Sequence, residues 1–138
     1  MARLHTSGME TNNATATEWS TTSGTASFVT TPVHSGTYAW RCNPTGGAGG
    51  LRRTLSAAKT SGTLFHRVYF RVAEWPATGI TIVAFVDGGQ VRVQRLNIID
   101  VGGNKRLQIL NVPTGTTADS AFNLSLDTWY RIYWRVLL

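Results

Sequence analysis

Acid–base hydrolysis needs paired carboxylates, and this chain spaces its carboxylates poorly for that work. Glu10, Glu18 and Glu74 each lack a second carboxylate two residues away, and Asp87 and Asp100 precede glycine turns. Glycoside cleavage requires two carboxyl groups roughly 5–10 Å apart, and no pair is legible. His5, His34 and His66 are widely separated and Cys42 is the only cysteine, so zinc-ligand spacing is absent. Asp87, Asp100 and Asn104 are oxygen donors of the type calcium takes, without a loop spacing that would gather them. No nucleophile-elbow motif marks a hydrolytic serine. The run Gly46-Gly47-Ala48-Gly49-Gly50 has the composition of a phosphate cradle but lacks the Gly-Lys-Ser/Thr ending and a following helix. It reads as a flexible interstrand loop. The expectation is a non-enzyme with no cofactor and no bound metal.

Recognition chemistry is better represented. In 64–72 and 126–138 large apolar residues recur at every second position: Val68, Phe70 and Val72 in one, Tyr130, Ile132, Trp134 and Val136 in the other. The intervening positions hold Phe65, Arg67, Tyr69 and Arg71, and Trp129, Arg131, Tyr133 and Arg135. A period of two sends alternate side chains to opposite faces of a β-strand, so each segment has a face to bury and an aromatic–arginine ladder to present. Neighbouring strands would merge the two ladders. Rings stack on sugars or bases, and guanidinium pairs with carboxylate or phosphate. Tyr, Trp and Arg are also the residues enriched where proteins meet. The plainer alternative is arginine stems lying over rings on a solvated sheet. A protein interface is the leading expectation for these eight residues, ahead of the solvated face and of a glycan-binding face.

The elements that must position them are strands throughout. Candidates are Thr25–Val29, Thr37–Cys42, Leu51–Leu55, Leu64–Val72, Ile80–Val86, Val91–Ile99, Arg106–Leu110 and Thr128–Leu138. Turn signals separate them, among them Ser35-Gly36, Ser61-Gly62, Asp87-Gly88-Gly89, Gly102-Gly103-Asn104 and Pro113-Thr114-Gly115. Asp87-Gly88-Gly89 suits a tight hairpin with glycine at positive φ, and Thr11–Ser27 reads as an irregular connection. Short strands at regular spacing, with no sustained helical periodicity, predict an antiparallel sandwich.

At 138 residues the chain has the length of a single domain, 1–138, and 42% apolar against 14% charged content argues for a folded core. Its net charge is +6, and arginine supplies most of the basic residues. That balance favours an acidic partner. Specific nucleic-acid binding is not expected, since neither a recognition helix nor an RNA-binding aromatic motif is present. Cys42, in register with Tyr38 and Trp40, reads as a core residue. No hydrophobic leader or membrane-length apolar run is visible, so the expectation is synthesis in the cytoplasm without a signal peptide and no membrane partner. The last strand stops at Val136-Leu137-Leu138 with its alternation intact. This suggests a portion of a longer protein, or a strand covered by another subunit.

The pieces Leu4-His5-Thr6-Ser7-Gly8-Met9-Glu10, Glu18-Trp19, Val33-His34-Ser35-Gly36-Thr37-Tyr38-Ala39, Phe65-His66-Arg67-Val68-Tyr69-Phe70-Arg71-Val72, Trp75-Pro76 and Asp127-Thr128-Trp129-Tyr130-Arg131-Ile132 follow one another in a telling order. In that order the chain resembles concanavalin A-like (LamG-like) jelly-roll domains, most closely those of tailed-phage structural proteins. The resemblance implies a jelly-roll sandwich and a virion location, as capsid decoration or a tail or fibre component. It also implies contacts with other virion proteins or with further copies of the chain. A lectin-like module recognising a surface glycan is the alternative it allows. Hydrolases on that fold usually carry a Glu-x-Asp-x-x-Glu strand, which this sequence lacks.

Overall fold

The computed structural model describes residues 21–23, 26–42, 50–54 and 61–137, and every regular element among them is a β-strand. In chain order these are β1 (Thr21–Ser23), β2 (Ala26–Val29), β3 (Ala39–Cys42), β4 (Gly50–Arg52), β5 (Thr63–Phe70), β6 (Ile80–Val86), β7 (Arg92–Val101), β8 (Asn104–Asn111), β9 (Thr117–Asp119) and β10 (Tyr130–Leu137). All pairings are antiparallel. The chain divides into two compact units, one up to Gly62 and one spanning Thr63–Leu137.

The first unit contributes two short ladders, β1 with β4 and β2 with β3. Phe28 packs edge-on against Trp40 across β2–β3, with ring centroids 5.0 Å apart. Cys42 is exposed, contrary to the core position expected for it. It is the last residue of β3 and ends the β2–β3 ladder opposite Ala26. The glycine run at 46–49 lies outside the described residues.

The second unit is a sandwich. One sheet is β5 paired with β10, and the other runs β6-β7-β8-β9. Strand alternation explains the packing. Phe70, Trp134 and Val136 point inward from the first sheet, Leu96, Ile98 and Leu107 from the second, and these side chains with Leu124 form one buried cluster. Phe85 on β6 sets its ring edge-on to Trp134 of β10 at 4.8 Å and to His66 of β5 at 5.8 Å, joining the layers directly. Each such side chain contributes roughly 1.5–3 kcal/mol on burial. The 120–129 connection is tied down as well. Leu124 N–H donates to the Lys105 carbonyl at 2.7 Å while its side chain fills the core edge. An all-β antiparallel sandwich is therefore what the alternation predicts and what forms.

The turns carry two lessons. Gly102 and Gly103 form the two-residue β7–β8 hairpin with φ of 60° and 87°, the doubly positive geometry that glycine adopts freely. In the β6–β7 hairpin the left-handed residue is Gln90, at φ 65°, rather than Gly88 or Gly89. Asp87 explains how a glutamine is held there. Its carbonyl accepts from Gln90 N–H at 3.0 Å, and its carboxylate accepts from Val91 N–H at 2.8 Å.

Candidate functional site

The β5–β10 register decides which side chains share a face. Phe65 lies opposite Arg135, Arg67 opposite Tyr133, and Tyr69 opposite Arg131. Partners directly across an antiparallel pair project to the same side. The inward positions of both strands are taken up by the core, so these six residues are forced onto the outer surface. Every aromatic ring meets an arginine across the ladder, and each arginine an aromatic, in a checkerboard. Phe65 is 60% exposed and Tyr133 65%, enough to leave ring surface accessible to a partner.

Contacts within the face orient its charges. The Arg131 guanidinium sits 5.0 Å from the centroid of the Tyr133 ring, within cation–π range. The Arg67 guanidinium hydrogen-bonds the Tyr133 hydroxyl, and that bond, helped by the positive charge of Arg131, holds the Tyr133 phenol below its ordinary pKa. Arg67, Arg131 and Arg135 form no ion pair among the described residues. The two ion pairs found there are Arg71–Asp127 and Lys105–Asp100.

Two of the eight expected residues stand apart. Arg71 lies beyond the end of β5 and is paired with Asp127. Trp129 precedes β10 and is half-buried. Both ladders end where the strands stop, because Asp127 adopts φ 58° and turns the chain there. Asp127 N–H donates to the Val72 carbonyl at 2.8 Å, fixing that corner. The face is instead longer at its other end, where Thr63 lies opposite Leu137 and Leu137 is 75% exposed. Extending the parity of Arg131, Tyr133 and Arg135 by two residues was the signal for Leu137.

The opposite surface of the sandwich is of another kind. Thr81, Asn97, Gln108 and Asp119 form one register row across β6, β7, β8 and β9. This row satisfies itself: Thr81 donates to Asn97 at 2.9 Å and Gln108 to Asp119 at 3.0 Å. Asp87 and Asp100 lie at opposite ends of β7, roughly 30 Å apart at about 3.4 Å per residue, and so cannot share a calcium ion. Asp100 accepts from Lys105 at 2.6 Å and from Gly103 N–H at 2.7 Å. These hydrogen bonds, Lys105 first, keep its carboxyl below the usual range. His66 packs on Phe85 from the inner side of β5. Among the described residues no three His, Cys, Asp or Glu side chains gather as a metal-binding group. No family model, curated protein or solved structure matches the chain.

Proposed function

We propose that this chain is a non-enzymatic contact protein, a virion structural component of the tailed-phage type built on a jelly-roll, concanavalin A-like sandwich. It is held to other virion proteins through the outer face of β5–β10. The observation that carries this reading is the exposed checkerboard of Phe65, Arg67, Tyr69, Arg131, Tyr133 and Arg135. A solvated sheet face gains little from large rings, whereas an interface gains most of its energy from a few aromatic and arginine anchors. The likeness of the strand motifs to phage domains adds the virion context.

The test compares particles purified from cells expressing the wild-type chain with particles from cells expressing the Arg67→Glu/Arg131→Glu/Arg135→Glu variant. Wild-type chain is expected at a fixed copy number per particle by quantitative mass spectrometry, and the variant at contaminant level. Wild-type chain at contaminant level sinks the proposal. The lectin-like alternative draws on the exposed ring of Phe65. On that reading Phe65→Ala abolishes retention on a polysaccharide column. The half-buried Trp129 is the poorer position for that test.

A further inference from the structure

We infer that the partner of the β5–β10 face is an acidic protein surface carrying an apolar anchor, and not a second copy of this chain or a polyanion at large. The inference rests on the contact reading above and names the chemistry of the partner.

Charge is the first argument. Arg67, Arg131 and Arg135 project from one face on which the described ladder positions hold no carboxylate, since Phe65, Tyr69, Tyr133, Thr63 and Leu137 fill the others. Two copies meeting face to face would set guanidinium against guanidinium, and like-charge juxtaposition costs several kcal/mol. Neighbouring arginines on opposite strands are diagonal to one another, about 7–8 Å apart, so the positive charge extends along the face in a zigzag. The guanidiniums are also partly ordered beforehand, Arg131 over the Tyr133 ring and Arg67 on its hydroxyl. A carboxylate partner therefore meets an Arg131 guanidinium already oriented by the Tyr133 ring.

The second argument separates a protein from other polyanions. Phe65 is diagonal to both Tyr133 and Leu137 across the ladder, and the three are 60%, 65% and 75% exposed. Together they form an apolar patch at the end of the face where Arg135 stands. A sulfated glycan offers the patch only the C–H faces of its sugar rings, which stack on Phe65 or Tyr133 but have no side chain to cover the aliphatic Leu137. A protein surface supplies both an aliphatic or aromatic side chain for the patch and Asp or Glu for the arginines around it, the usual division between the core and rim of an interface.

Fluorescence anisotropy against four labelled probes of matched length tests this: poly-glutamate, a random glutamate–tyrosine copolymer, dextran sulfate and a single-stranded oligothymidylate. The copolymer is expected to bind about tenfold more tightly than poly-glutamate. Phe65→Ala should remove that advantage and leave poly-glutamate binding unchanged. Arg131→Gln/Arg135→Gln should weaken both. Leu137→Ser serves as a second probe of the patch, and an unchanged circular dichroism melt shows that each variant is folded. Dextran sulfate or the oligonucleotide binding as tightly as the copolymer overturns the inference, as does a Phe65→Ala variant that keeps the full copolymer advantage. Such a failure leaves the contact reading standing if the charge-reversed variant is still lost from particles. If it stays on particles, the face itself is not the contact.

Discussion

Tyr133 is flanked by two guanidiniums, and its acidity reports on both. The Arg67 hydrogen bond and the Arg131 charge favour phenolate over phenol. A group whose pKa is depressed on folding adds stability only once it ionises, so Tyr133 adds nothing in this way at neutral pH. Its contribution grows as pH rises through the folded value and is complete above the ordinary tyrosine value of about 10. Arg67→Gln should move the phenolate absorbance at 295 nm to higher pH. An unchanged titration curve would mean that Arg67 does not hold the hydroxyl in solution. Because the cluster is solvent-exposed, high salt should shrink the difference. The alternation of Arg67 and Tyr133 along their strands was plain in the sequence; their meeting across the ladder was not, since register depends on where the connecting chain brings β10 back.

Hairpin chemistry acts at the scale of the element. Gly103 has φ 87° and a Cβ there would meet nothing within 4 Å. Gly103→Ala therefore costs backbone strain alone, about 1–2 kcal/mol, to be read as a lower denaturation midpoint. Gly88→Ala in the neighbouring hairpin has equal room without a positive φ, and should be neutral or stabilising by up to about 1 kcal/mol. Equal losses for the two would refute this reading. The long strands were legible because burial on one side writes a period of two into their residues: β6 has the bounds its sequence suggests, and β5, β7, β8 and β10 depart from theirs by one or two residues at an end. β1 (Thr21–Ser23) and β9 (Thr117–Asp119) were missed for the converse reason. Three residues of Thr, Ser, Ala and Asp carry no apolar rhythm and are strands only by pairing with β4 and β8. The face followed the same logic. Its six strand residues came from alternation, whereas Arg71 and Trp129 share that alternation but fall past a corner set by the backbone of Asp127.

At the scale of the whole molecule, the unit spanning Thr63–Leu137 holds its two sheets together through few large side chains. Trp134 is 4% exposed and touches Phe85 on the opposing sheet. Trp134→Ala should cost about 3–5 kcal/mol, a large share of the roughly 5–15 kcal/mol that stabilises a domain, and the measure is the urea midpoint. A loss below 1 kcal/mol would mean that the sheets are joined elsewhere. The two-sided use of β10 carries a consequence for how such a protein can change over generations. Trp134 and Val136 face the core, while Tyr133 and Arg135 between and beside them face outward. Substitution can alter the outer set one residue at a time and leave the inner set intact. Insertion or deletion of a single residue within the strand exchanges the two sets, sending arginine toward the core and tryptophan toward water. Descendants of this chain should therefore keep the length of β10 fixed even where an outward residue has been exchanged, with length variation confined to the turns.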